Sequence, residues 1–208
     1  MAEWLLSMPF RLRSAKENAC FANENETTEC AVKSWIALLR GINVGGNNKL
    51  PMAELRMLLD DVGLVEVQTY IQSGNIGFKS DVKDATSLET LIAETIAKSF
   101  GFEIAVFVLE AEKLIAVLDQ SPFSVSTVDG NLLHFYFLKV PVKTDVSNAL
   151  DDMRADSESW HLTDDVFYLF APDGIGRSKL ASKVEKTLGV PTTTRNFRTV
   201  QKLIKMSE

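Results

Sequence analysis

Turn residues cut residues 33–208 into strands and helices whose order, β-α-β-β-α-β, comes round twice, and such an order restricts the sheets to few topologies. The apolar run Trp35-Ile36-Ala37-Leu38-Leu39 is short and stops at Arg40-Gly41, as a central strand buried on both faces does. Pro51 then opens a helix with Leu55, Leu58, Leu59 and Val62 along one face, ended by Gly63. Val65, Val67, Thr69 and Ile71 alternate with polar residues, and Ser73-Gly74 turns that strand into a second carrying Ile76 and Phe78. Thr86 and Glu89 have capping-box spacing ahead of a helical stripe of Leu88, Leu91, Ile92, Thr95 and Ile96, which Gly101 stops. Residues 103–109 supply a closing strand.

A helix with Ala111, Leu114, Ile115 and Leu118 on one face follows, then a loop with Pro122 and an Asp129-Gly130 turn. The second round runs through a strand at 132–139, a helix at 145–153, a short strand Ser159-Trp160-His161-Leu162 and a strand at 166–170. Pro172-Asp173-Gly174-Ile175-Gly176 leads to a helix bearing Leu180, Val184 and Leu188 and closed by Gly189, and residues 192–195 form a terminal strand. A last helix turns Phe197, Val200, Leu203 and Ile204 inward. The reading is an α+β protein of two tandem ferredoxin-like plaits with a carboxyl-terminal helix: an extension at 1–32, a first plait at 33–109, a connector at 110–131, and a second plait with the terminal helix at 132–208. The repeat lies in the order of elements, not in residue-level similarity between the halves.

Composition narrows the function classes. The 208 residues are 46% hydrophobic with a net charge of -6, enough apolar material for one large core or two modest ones and the wrong sign for coating nucleic acid by charge alone. Residues 171–208 nevertheless hold eight basic against three acidic side chains. Lysines on solvent faces account for Lys183, Lys186, Lys202 and Lys205, but less well for Arg177, Lys179 and Arg195, which sit in or beside loops. Trp4-Leu5-Leu6 is broken by Ser7 and Pro9, too short for a signal core or membrane span, so a soluble cytoplasmic protein with no membrane partner is expected. Cys20 and Cys30 fall in the extension and read as reduced thiols. His134 and His161 lack cysteine or acidic partners at ligand spacing, and Asp60-Asp61, Asp151-Asp152 and Asp164-Asp165 sit at helix or turn ends; no metal site and no cofactor are expected.

Two loops stand out. Arg40, Asn43, Gly45, Gly46, Asn47 and Lys49 crowd donors and left-handed-capable residues into a connection longer than a strand-to-helix turn needs. Gln72, Ser73 and Asn75 have the same character. In an antiparallel plait the first two strands run one way, so these two loops emerge at one end. The same argument brings Gly176, Arg177, Ser178 and Lys179 near Arg195 and Asn196. A Gly-x-Gly entry into a helix, with arginines at hand, suits a phosphate or carboxylate, although Ser178 can equally cap the helix and the order does not match a Walker loop. No nucleophile–base pair can be named, so no reaction is assigned.

Leu38-Leu39-Arg40-Gly41-Ile42-Asn43-Val44-Gly45-Gly46 with Pro51-Met52-Ala53-Glu54-Leu55-Arg56, then Thr69-Tyr70-Ile71-Gln72-Ser73-Gly74-Asn75, resembles a bacterial family known as domain of unknown function 1697. Gly174-Ile175-Gly176-Arg177-Ser178-Lys179-Leu180 and residues 194–203 are similar to its later motifs, so the resemblance runs from about residue 33 to the carboxyl end. It implies two α/β-plait domains and no activity. The leading expectation is a small anionic, phosphorylated or carboxylated ligand held by the polar loops. Nucleic acid, held by the basic carboxyl-terminal segment, is the second; on the sheet faces, residues 75–79 lack RNP aromatics, and His134, Tyr136 and Tyr168 could share a face, but burial of those rings by sheet-on-sheet packing is favoured. A protein-interaction module whose loops only brace the domains is the third.

Overall fold

The computed structural model describes residues 32–123 and 130–208. The extension read at 1–32 (Val32 apart), with Cys20 and Cys30, lies outside them, as does Asp129 of the expected Asp129-Gly130 turn.

The fold is α+β, with two four-stranded antiparallel sheets. The first half comprises β1 (Lys33–Leu39), α1 (Met52–Asp61), β2 (Val65–Tyr70), β3 (Asn75–Ser80), α2 (Ala85–Phe100) and β4 (Val106–Glu110). Its sheet has the order β2-β3-β1-β4, so the expected central strand is central: β1 pairs with both β3 and β4, and its residues from Trp35 to Leu39 are buried. After α3 (Ala111–Asp119) come β5 (Leu133–Leu138), α4 (Ser147–Asp151), β6 (Ser159–Leu162), β7 (Val166–Phe170), α5 (Val184–Leu188), β8 (Thr192–Asn196) and α6 (Phe197–Ser207). The second sheet repeats the arrangement as β6-β7-β5-β8.

Period-two alternation decides what each face covers. Trp35, Ala37 and Leu39 of β1 point toward α1 and α2, where they join Leu55, Leu59, Leu88, Ile92 and Ile96. Ile36 and Leu38 point the other way and meet Phe135, Phe137, Val166 and Tyr168 of the second sheet. Helices α3 and α6 complete this middle layer through Leu114, Val117, Phe197, Val200 and Leu203. The opposite face of the second sheet packs Tyr136, Phe167 and Leu169 on Leu150, Leu180, Val184 and Leu188. One core therefore belongs to both halves. The terminal helix, continuous with the last strand of the second sheet, lies against β1, β2 and β3 of the first.

Several expectations change. The cap of α2 is Asp84, whose Oδ2 accepts from the Ser87 backbone N–H at 2.7 Å, not Thr86; Glu89 reaches out of the helix to accept from the Val108 N–H and pair with Lys139. His134 and Tyr136 share the face toward α4 and α5, whereas Tyr168 lies on the other, edge-on to Phe135. The three rings do not form one open platform. All three are buried, but only Tyr168 by the expected packing of sheet on sheet; His134 and Tyr136 are covered on the opposite face. The helix expected directly after Gly176 is a single 3₁₀ turn, Ile175–Arg177, followed by irregular turns up to Lys183. There Ser178 Oγ accepts from the Ala181 N–H and Ser182 Oγ donates to the Lys179 carbonyl, so local side-chain bonds replace the helical ladder.

Candidate ligand-binding site

Arg195, on the penultimate position of β8, is 8% exposed and crosses from the second sheet into the first half. Its Nε donates to Asn75 Oδ1, and one terminal nitrogen donates to the backbone carbonyls of Leu39 (2.8 Å), Ser73 (3.1 Å) and Gly74 (3.4 Å). The other donates to Thr193 Oγ1 at 3.0 Å and the Thr194 carbonyl at 2.8 Å. Every acceptor is neutral. Burial pushes the guanidinium pKa down to about 10, which still leaves it charged at neutral pH. A positive charge thus sits where the end of β1 and the β2–β3 turn come together, with no carboxylate among its contacts.

The glycine-rich loop is a built structure. Asn43, at a φ of 53°, donates through Nδ2 to the carbonyls of Leu50 and Gln72, and its Oδ1 accepts from the Leu50 N–H. This side chain carries the expected contact between the two loops. Gly45 and Gly46 both have positive φ and form the centre of a tight turn bridging Val44 and Asn47, the combination of a type I′ hairpin. Gly45, Gly46, Asn47 and Lys49 are exposed and do not line the cleft beside the loop, whereas Arg40, Gly41, Ile42 and Val44 do. Asn75 is fully buried, with Nδ2 on the Tyr70 carbonyl and Ser73 Oγ.

Between the halves lies a cleft of about 400 Å³. Arg40 and Ser73 line it from the first half; Tyr136, the strand Thr192–Arg195, Ile175 and Ser182 line it from the second. Arg40 spans the opening with a two-pronged ion pair to Glu185 of α5, both N–O distances 2.6 Å. With 41% and 40% of their side-chain surfaces exposed, the two groups form a solvent-screened pair worth roughly 0.2–1 kcal/mol, easily exchanged. Burial raises the Tyr136 pKa to about 12, outweighing the lowering effect of the bond between its hydroxyl and the Thr194 side chain and aided by a smaller push from the Glu158 charge, so it is a neutral hydrogen-bonding group and not a base.

The residues singled out in sequence therefore divide. Arg40, Ser73 and Arg195 border one cleft, and Asn43, Gln72 and Asn75 hold its rim in shape. Gly176, Arg177 and Lys179 are exposed and do not line it, and the helix N-terminus that made them an anion site does not form. Ser178 is buried as a local cap, and Asn196 caps α6 by accepting from the Thr199 N–H. Sequence reasoning weighed Tyr136 only as a base-stacking ring and missed Glu185 and the Thr192–Thr194 run. The sole acid between Asp173 and Glu208 in a basic segment, and three consecutive threonines before an arginine, were the available signals. Among the described residues no three His, Cys, Asp or Glu side chains cluster to hold a metal ion, and no helix is long and apolar enough to cross a membrane.

The family described as protein of unknown function (DUF1697) matches residues 32–168. The chain belongs to that family. The DUF1697 match takes in Arg40, the glycine-rich loop and the β2–β3 turn, and ends before Glu185 and Arg195. A solved structure, that of the conserved bacterial protein SP0830 from Streptococcus pneumoniae, is 29% identical with a TM-score of 0.63, covering 86% of this chain and 100% of its own. No curated protein matches the chain.

Proposed function

We propose that this DUF1697 chain is a cytosolic protein of two tandem ferredoxin-like plaits, 33–109 and 132–208 joined through 110–131, that binds a small ligand by an anionic group in the cleft between them. Strand orders β2-β3-β1-β4 and β6-β7-β5-β8, each with helices on one face, support the plait reading. The observation that carries the ligand reading is Arg195, a buried guanidinium with only neutral contacts at the wall of a cleft whose other charges, Arg40 and Glu185, cancel. A net positive, hydroxyl-lined cavity of this size suits one small anion-bearing molecule.

Nucleic acid is less well supported, because the tyrosine rings that would stack bases are buried. A thermal-shift screen of nucleotides, sugar phosphates and small carboxylic acids tests the reading. At least one class is expected to raise the melting temperature of the wild-type chain and to lose that effect in Arg40→Ala, with the fold intact by circular dichroism. A folded protein indifferent to every anion would remove the reading.

A further inference from the structure

Resting on the reading of the inter-sheet cleft as a ligand site, we infer that the ligand is a small zwitterion, a free amino acid or a molecule of that type, whose carboxylate takes Arg40 and whose ammonium takes Glu185. Three charged side chains line the cleft: Arg40, Arg195 and Glu185. Arg195 supplies field but no free N–H, because the Asn75 side chain, Thr193 and the backbone carbonyls occupy its donors. Direct recognition of charge falls to Arg40, and Glu185 already shows what its fork accepts: a carboxylate, held by both prongs at 2.6 Å.

A simple anion arriving at Arg40 must displace that carboxylate. Two negative groups would then share one cleft, and the second lining cation, Arg195, has no free N–H with which to receive Glu185. A zwitterion avoids the conflict by inserting into the pair, so that each of its charges meets one opposite charge and none is stranded. The pair joins two side-chain ends, Glu185 on α5 and Arg40 at the entry to the glycine-containing loop, so rotation of the side chains alone is enough to part them. Their partial exposure means that opening the pair strands no buried charge. Beyond the pair the cleft is lined by Ser182, Thr193 and Tyr136, each hydroxyl already in one hydrogen bond, beside Val44 and Ile175, which suits a short polar or small apolar body without a second charge.

Titration calorimetry with free L-serine, L-threonine, L-alanine and L-valine, their N-acetyl derivatives, their amides and inorganic phosphate distinguishes the possibilities. In the wild-type protein at least one free amino acid is expected to bind about tenfold or more tighter than its N-acetyl and amide forms, since each of these deletes one charge-assisted contact. In Glu185→Gln that preference over the N-acetyl form is expected to vanish, and in Arg40→Gln the preference over the amide. If phosphate or the N-acetyl acids bind as tightly as the free amino acids, and Glu185→Gln strengthens them, the zwitterion is wrong while an anion site stands. If no probe binds the folded protein, the site and the inference fall together.

Discussion

Arg195 is worth more to this molecule as a cross-brace than a single surface charge could be. Its guanidinium satisfies the Leu39, Ser73 and Thr194 carbonyls and the Asn75 amide oxygen, so truncation leaves several buried acceptors unpaired. Arg195→Ala is expected to cost about 3 kcal/mol or more in urea unfolding, and Arg195→Lys to recover only part of it, because an ammonium cannot reach both halves with a planar fork. Gly74 shows a different constraint. Its φ is 72°, and a Cβ there would stand 2.5 Å from Leu39 Cβ and 2.9 Å from Ile42 Cδ1. Gly74→Ala combines a left-handed penalty with overpacking and is expected to cost roughly 2–4 kcal/mol, read from the denaturation midpoint. His134 supplies the pH dependence. It is 7% exposed, its Nε2 has no hydrogen-bond partner among the described residues, and burial lowers its pKa from 6.5 against the raising effect of a bond to the Asn131 backbone. The unfolded chain takes up that proton more readily, so stability should fall as pH drops below about 6.5 and level off beneath the native pKa; His134→Phe should flatten this segment of a stability–pH curve. Such residue-scale facts are weakly legible in sequence. That Arg40, Ser73 and Arg195 carry polar or charged groups is visible, but whether an arginine points at a ligand or at three carbonyls depends on how two sheets meet.

Elements were legible where one periodic signal decided them and illegible where local bonds competed. Strand β1, helix α1 and the β2–β3 hairpin follow from an apolar run, a proline at the helix entry and a Ser-Gly turn, although a register shift between Val65 and Gln68 interrupts the expected alternation of β2 and leaves Val65 and Ile71 exposed. Strand direction alone then brought residues 40–49 beside 72–75, and the Asn43–Gln72 bond carries that contact. The segment after Gly176 had helical spacing at Leu180, Val184 and Leu188, and all three are buried as the stripe requires. Yet Gly176, Ser178 and Ser182 favour turns, and the serine hydroxyls take the backbone bonds that a helix would have used. The entry of α2 makes the same point more testably. Two candidate caps lie two residues apart, and only Asp84 bonds to the helix, accepting from both the Ser87 N–H and hydroxyl. Those bonds lower the Asp84 pKa, so its contribution should be present above the ordinary carboxylate range and lost as pH falls through it. Asp84→Ala is expected to lower the melting temperature at neutral pH while Thr86→Ala leaves it almost unchanged, the reverse of what a capping box at Thr86 and Glu89 requires.

Across the whole molecule, the two halves look separable by element order and are not separable by packing. Ile36, Leu38 and Phe107 of the first sheet share a core with Leu133, Phe135 and Tyr168 of the second, and α6 leaves the second sheet to cover the first. Charged ties reinforce the join at several places: Arg40 with Glu185 at the cleft, and Lys139 with Glu89 and Lys113 with Asp165 elsewhere, where Lys139 also donates to the Val106 carbonyl and lies 5.3 Å from the centre of the Phe107 ring. Sheet-on-sheet burial was foreseeable, since both sheets present an apolar second face, but the shared core has a thermodynamic consequence that element order conceals. If either half unfolded alone, the other would expose Ile36 and Leu38 or Phe135 and Tyr168 to water, a loss of roughly 1.5–3 kcal/mol for each large side chain. Partial unfolding should therefore be scarcely populated. Two tryptophans report on opposite outer cores: Trp35, 2% exposed against α1 and α2, and Trp160, stacked on Phe167 at 6.0 Å. With Trp4→Phe as background, variants retaining only Trp35 or only Trp160 are expected to give coincident urea transitions by fluorescence, each matching the far-ultraviolet circular dichroism curve. Two separated midpoints, or a plateau between them, would mean that the middle layer is not the unit of stability and that the cleft it supports can open without unfolding the rest.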